Sequence, residues 1–435
     1  MHQWERSEGG DGADRRETVY VLEATPLKFG LGAADEAGYE LRRLGVSRAL
    51  IVTDPGIVAT GAVERVERSL SAAGVEGEVF AGVRIEPTLA SMEEAVAVAC
   101  DGGFDGFVGL GGGSSLDTAK VAALVASHPA PILDYVNAPI GGGRQPPAQL
   151  LPLLAIPTTG GTGSEATSVA VVDLPEQRVK TGISHRYLRP RQALVDPLLG
   201  LTVPGPVAAA CGLDVICHAL ESFLARPFDS LPAPASPADR PPYQGANPIS
   251  DVWSARAIED GGRHLRRAVR EPADLEARSA MMRSASFAGI GFGSAGVHIP
   301  HACAYPIAGL RHEFRPAGYP GDHAFVPHGI SVIVTAPASF RFTYPSDPAK
   351  HRRAAELLAG RELPDADEET LPALLVSIMQ DLGIPRGLRA LGYGEDDLDD
   401  LVAGAAKQER LLRVAPRDCS PDDLAAIFRQ SFENW

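Results

Sequence analysis

The chain has 435 residues, 45% of them hydrophobic, and a net charge of −15. That length accommodates two domains with a large core, and the acidic balance argues against a nucleic-acid partner, which needs a basic face. No run reaches the ~18 uninterrupted apolar residues expected of a membrane span. The five cysteines (Cys100, Cys211, Cys217, Cys303 and Cys419) are scattered without a CxxC pair. Neither a disulfide framework nor a zinc knuckle is therefore indicated, and reduced thiols in a cytoplasm are expected.

Residues 1–17 are charged and Gly-rich, lack the apolar segment of a secretory signal, and read as a disordered tail. From 18 to 200, short β-branched runs alternate with amphipathic stretches. "RALIVTD" (48–54), "FDGFVGL" (104–110) and "LLAIPTT" (153–159) read as strands, and "AVERVERSLSAAG" and "SMEEAVAVACDGG" as helices between them. Strands spaced by helices of that length predict an α/β domain built on a parallel sheet. From 201 to 435 the texture becomes helical, as in "SDVWSARAIEDGGRHLRRAVR" and "DLEARSAMMRSASFAGIGFG", and an all-helical domain is expected. The segment 226–248 is rich in Pro, Ser and Asp and cannot be helix. Because helical patterns resume directly after it, it reads as a long loop inside the helical domain.

Two glycine-rich turns stand at predicted strand ends. "GLGGGSSLDTAK" (109–120) opens a helix, where close backbone approach and free N–H groups suit a phosphate. "PTTGGTGSEAT" (157–167) follows a second strand. Together they point to a nucleotide at the carboxyl edge of the sheet. Asp54, ending an earlier strand, suits the hydroxyls of an adenosine ribose and would repel a 2′-phosphate, which favours NAD over NADP. In the helical half, "CGLDVICHALE" (211–221) places Asp214 and His218 one turn apart on an apolar helix. An apolar helix does not bury such a pair without a strong partner, and a divalent cation is one. Five of the 11 histidines lie between 298 and 328, from which His301 and His328 are candidates to complete a four-ligand set. Three imidazoles and a carboxylate suit Fe²⁺ or Zn²⁺ equally.

With these residues in place, the chain resembles the iron-containing (group III) alcohol dehydrogenases. "GGGSSLDTAK", "PTTGGTGSEAT" and "GLDVICHALESF" occur in the family's order, over nearly the whole chain. The resemblance implies a dinucleotide-binding α/β domain followed by a helical metal-binding domain, with NAD and one metal ion in the cleft between them. By position it implies metal ligands at Asp214, His218, His301 and His328. It places the pyrophosphate on Gly111, Gly112, Gly113, Ser114 and Ser115, with Asp117 also on the cofactor side. Thr158, Thr159 and Thr162 would lie along the cofactor, and Lys180 near its ribose.

"RPPYQGANPISD", "LDYVNAPIGGG", "YPIAGL" and "DHAFVPHGISV" resemble the hydroxyacid-oxoacid transhydrogenase branch of that family. This implies hydride transfer from a hydroxy acid such as 4-hydroxybutyrate to an oxo acid such as 2-oxoglutarate, through bound NAD, in a homodimer or larger assembly. An ordinary dehydrogenase with exchangeable NAD, and a relict binding protein without activity, remain alternatives. Tyr305 stands where the wider family usually has histidine, and is the candidate proton relay, with His298 and His323 behind it. Arg315 is the candidate for the substrate's distal carboxylate, ahead of Arg311 and His312.

Overall fold

A computed structural model of the chain describes residues 15–310, 313–319 and 323–435. Arg311, His312 and most of the expected tail lie outside the described residues. The strands are β1 (Leu27–Phe29), β2 (Arg48–Val52), β3 (Glu76–Phe80), β4 (Gly106–Gly111), β5 (Leu153–Pro157), β6 (Val169–Leu174), β7 (Val179–Ser184) and β8 (Gln192–Val195). Six of them form a parallel sheet in the order β1-β8-β5-β4-β2-β3, while β6 and β7 form a separate antiparallel hairpin. The central β4 and β5 are buried along their whole length. Covering by helices on both faces makes continuous apolar runs the right composition for them.

The strand order has one consequence for function. From β2 the chain passes through helix Ala62–Ala72 to β3 on one side, then crosses back to lay β4 on the other side of β2. The loops leaving β2 and β4 therefore diverge, opening a crevice at the switch point of the sheet. Asp54 stands on one lip and the glycine-rich turn after β4 on the other.

Beyond Val195 the described residues form helices joined by turns and loops, with no further strand among them. Helix Gly205–Leu224 is their centre, packed against Pro248–Arg270, Leu275–Ala295 and His328–Ile333. It is long and apolar enough to cross a membrane, with a mean hydropathy of 1.5, yet 83% of that window is buried inside the protein. Its apolar surface is thus satisfied by neighbouring helices. The 226–248 segment is a loop between helices Gly205–Leu224 and Pro248–Arg270. It ends where Asn247 accepts hydrogen bonds from the Ile249 and Ser250 amides, with Pro248 beginning the helix.

The expected tail ends earlier than residue 17. Glu17 is buried, its amide donates to the Leu231 carbonyl at 2.9 Å, and its carboxylate pairs with Arg240 at 3.0 Å. Its partners lie in the Pro-rich loop, too far along the chain for local composition to reveal.

Candidate active site

A cavity of about 590 Å³ lies between the carboxyl edge of the sheet and the helical half. At the sheet end it is lined by Asp54, Gly112, Gly113, Ser114, Thr158, Thr159 and Thr162. Helix Gly113–Ser127 begins there, so its first turn of unpaired amides faces the opening. Gly111 makes the turn with φ of +147°, and a Cβ on it would lie 2.5 Å from Ser115 Oγ, so only glycine fits. Gly111 and Ser115 do not themselves line the cavity. Ser115 is fully buried and donates to Asp54 Oδ2 at 3.2 Å, fixing a carboxylate that also caps helix Pro55–Val58 through the Ile57 amide.

Asp117 reaches the cavity but is already engaged. It accepts from Ser164 Oγ at 2.5 Å and from the Val171 amide at 2.9 Å, near the fully buried Lys120. Its role visible here is to tie helix Gly113–Ser127 to the second glycine-rich loop and to β6. Lys180, on β7, lines the cavity as an ion pair with Glu86. Burial alone would strip its proton, but the Glu86 carboxylate outweighs it and holds the ammonium above its ordinary value.

Deeper in, Asp214, His218, His301 and His328 each aim one ligand atom at a common point, all within 4.8 Å of one another. Asp214 Oδ1 lies 3.7 Å from His218 Nδ1, 3.5 Å from His301 Nε2 and 3.8 Å from His328 Nε2. Asp214 and His218 come from helix Gly205–Leu224, His301 from Ile299–Leu310, and His328 from the first position of His328–Ile333. Gly329 makes the last approach possible, because a Cβ there would sit 1.9 Å from the Ala210 carbonyl oxygen. The ring of His218 is stacked between His301 at 4.5 Å and Phe292 at 4.1 Å.

The electrostatics suit a cation. Asp214 Oδ1, His218 Nδ1 and His301 Nε2 are buried without hydrogen-bond partners, an arrangement that costs free energy unless something binds them. Burial pushes His218 down to about 3, so it is a neutral ligand at physiological pH. Burial would raise Asp214, but the surrounding imidazoles prevail and hold its carboxyl well below the usual range. His301 goes the other way, up to about 9. Burial opposes the charge, but Glu221 and Asp214 together outweigh it.

Glu221 was not anticipated from the sequence, although the signal was there. It follows Asp214 by seven residues and so shares its helical face. It is fully buried, and its Oε1 lies 2.6 Å from His301 Nδ1. That contact leaves His301 Nε2 to face the cluster, the outer-shell arrangement typical of metal-ligating histidines. Glu86 was also missed, and nothing in its local sequence flags it. It holds a left-handed backbone at φ of 56°, pairs with Lys180 and accepts the His328 amide at 3.2 Å. Strain of that kind gathers at functional sites.

Of the three relay candidates, Tyr305 alone lines the cavity. His298 is corrected to a core position. Its amide is held by Glu221 at 2.6 Å, its ring turns edge-on to Phe340, and burial pushes it down to about 4. His323 is likewise outside the lining, stacked on Phe325 with Nε2 3.3 Å from the Ile85 carbonyl oxygen. Arg315 is exposed and does not line the cavity.

Comparison with known proteins agrees with this geometry. "Iron-containing alcohol dehydrogenase" matches residues 24–197, and "Fe-containing alcohol dehydrogenase family, C-terminal" matches 243–432. The mitochondrial hydroxyacid-oxoacid transhydrogenase of Rattus norvegicus is 44% identical over 95% of this chain and 90% of its own length. That of Caenorhabditis elegans is 43% identical over 96% of this chain and 92% of its own. Among solved structures, a 1,3-propanediol oxidoreductase superposes with a TM-score of 0.82 at 29% identity, covering 95% of this chain and all of its own. Sulfoacetaldehyde reductase from Bifidobacterium kashiwanohense, in complex with NAD⁺, superposes at 0.78 with 25% identity, covering 95% and 98%.

The names of the transhydrogenase relatives overturn the expected cytoplasmic location, since they are mitochondrial proteins. Scattered free cysteines constrain the redox state of a compartment and not which compartment it is. With both halves matched in order and the four ligand residues gathered from three helices of the second half, the chain belongs to the iron-containing alcohol dehydrogenase family.

Proposed function

We propose that this cleft shuttles hydride from a hydroxy acid, such as 4-hydroxybutyrate, to an oxo acid, such as 2-oxoglutarate, through one NAD that stays in place. The observation that carries the reading is the presence, in one cavity, of the switch-point crevice and the four converging ligand atoms. The 43–44% identity to named transhydrogenases over nearly the whole chain supports the choice of reaction. The residues fit both a cation and a dinucleotide: three buried ligand atoms lack any other partner, and Gly111 and Gly113 have no room for a Cβ beside the turn. When bound, the cation acidifies an alcohol or polarises a carbonyl, and the nicotinamide accepts and returns the hydride.

The chain's own residues do the rest. Asp214, His218, His301 and His328 hold the cation, with Glu221 setting the tautomer of His301. The family's name favours Fe²⁺ over Zn²⁺ for a donor set that accepts either. Gly112, Gly113 and Ser114 receive the pyrophosphate, and Asp54 the ribose hydroxyls. Thr158, Thr159 and Thr162 flank the cofactor, and Lys180, kept charged by Glu86, stands by its ribose. Burial pushes the Tyr305 phenol above its ordinary value, so it stays protonated and serves as a hydrogen-bond donor.

Metal-reconstituted protein given 4-hydroxybutyrate and 2-oxoglutarate without added NAD tests the reading by mass spectrometry. Semialdehyde and 2-hydroxyglutarate in equal amounts over many turnovers support it. Product only after NAD is added, with NADH accumulating from the alcohol alone, makes the protein a conventional dehydrogenase.

A further inference from the structure

The cavity that contains the four ligand atoms is also walled by Tyr243, Phe292, Val297, Tyr305, Arg410 and Leu411. One contact and one helical spacing put these walls beside the cluster. Phe292 stacks on His218, and Tyr305 follows His301 by one turn of the same helix. The walls are mostly apolar, with one full positive charge among them. The Arg410 guanidinium lies 4.5 Å from the centroid of the Tyr243 ring, with the Tyr305 phenol close by.

Arg410 is singular among the cations of this cavity. Its Nη1 is buried and has no hydrogen-bond partner, and among the described residues its charge faces the Tyr243 and Tyr305 phenols and no carboxylate. Lys180, the other lysine or arginine in the lining among the described residues, is already neutralised by Glu86. The cavity's acids, Asp54, Glu86, Asp117 and Asp214, have partners at the nucleotide end or in the ligand cluster. A half-buried guanidinium with an unpartnered Nη1 and no anion is costly, and its planar fork matches a carboxylate.

From these observations we infer that Arg410 receives the distal carboxylate of both acids in turn, and is what selects a hydroxy acid over a neutral alcohol. The inference rests on the function proposed above and names the group that gives it substrate selectivity. One helical turn, about 5.4 Å, separates the His301 and Tyr305 levels, comparable to an extended four-carbon chain. A substrate oxygen at the cluster therefore leaves its carboxylate at the level of Tyr305 and Arg410. The Tyr243 ring holds the guanidinium in place, so little side-chain freedom is lost on binding. Arg410 replaces the exposed Arg315 in this role.

The test compares wild type, Arg410→Gln and Arg410→Lys on 4-hydroxybutyrate and on 1-butanol, with succinate as a dicarboxylate that binds without reacting. In Arg410→Gln, the ratio of kcat/KM for the acid over the alcohol falls about 10- to 100-fold, and the succinate inhibition constant rises by a similar factor. The loss lies mainly in KM. Arg410→Lys, which keeps a charge and a stem against Tyr243, recovers only part of the selectivity, because an ammonium cannot bind bidentately. It also serves if the Gln variant fails to fold. Unchanged succinate binding, or equal losses on acid and alcohol, overturns the inference. A wild type with no preference for the acid refutes the proposed function itself. A preference that survives in Arg410→Gln refutes only the assignment of Arg410.

Discussion

Replacing Glu221 by Gln isolates the part of the site that the sequence did not announce. The carboxylate is fully buried, with Oε1 2.6 Å from His301 Nδ1 and Oε2 accepting the His298 and His301 amides at 2.6 and 3.4 Å. Gln preserves the shape but offers one oxygen and one NH₂. If the oxygen stays with the two amides, the NH₂ faces a ring nitrogen that had been donating. His301 must then move its proton to Nε2, the atom aimed at Asp214 and the cation site. The variant thus sets the wrong tautomer without touching a ligand. Outer-shell changes of this kind cost about 10- to 100-fold in metal affinity, or about 1.4–2.8 kcal/mol. Titrating metal-free protein with Fe²⁺ or Zn²⁺ against a competing chelator measures it directly. An affinity within about twofold of wild type would refute the tautomer argument. Ala is a poorer probe, because it leaves buried donors unsatisfied at about 1–3 kcal/mol each and destabilises the fold with or without metal.

Three further outcomes are expected. Asp54→Asn narrows the preference for NAD over NADP by about tenfold in equilibrium binding, because the charge that repels a 2′-phosphate is gone. Gly111→Ala combines a positive φ with a Cβ 2.5 Å from Ser115 Oγ. It lowers stability by about 1–3 kcal/mol in denaturant unfolding and weakens NAD binding. Tyr305→Phe lowers kcat about tenfold, with a pH–rate profile of unchanged shape below pH ~10. A phenol raised by burial does not titrate there, so a lost basic limb in the variant would restore Tyr305 as a proton relay.

Much of this arrangement was legible in the sequence where a residue's role follows from its neighbours along the chain. The strands at 48–52, 106–111 and 153–157 lie within two residues of the runs that announced them, because fully buried parallel strands must be apolar throughout. Asp214 and His218 were legible for a similar reason, since helical spacing alone puts them side by side. The hairpin of β6 and β7, which carries Lys180, has no such signature. Its strands are broken by "PEQR" and mixed with polar residues, and pairing with each other stabilises them, not burial in the main sheet. Histidine enrichment between 298 and 328 misled in part, because density along a chain does not say which way each ring turns. His301 and His328 face the cluster, while His298 and His323 pack elsewhere. Glu86 and Arg410 were beyond reach for a third reason. Each meets the site only through contacts between segments far apart in the chain, such as Glu86 with His328.

The central claim is that one retained nicotinamide carries hydride between two acids in a single cleft. The most direct test supplies metal-loaded protein with 4-hydroxybutyrate deuterated at the carbinol carbon and unlabelled 2-oxoglutarate, once with no nicotinamide added and once with a large pool of unlabelled NADH. The account predicts one deuterium at the carbinol carbon of each 2-hydroxyglutarate formed, undiluted by a large pool of added unlabelled NADH. Unlabelled product, or label lost in proportion to that pool, would show that the hydride leaves the cleft between the two steps.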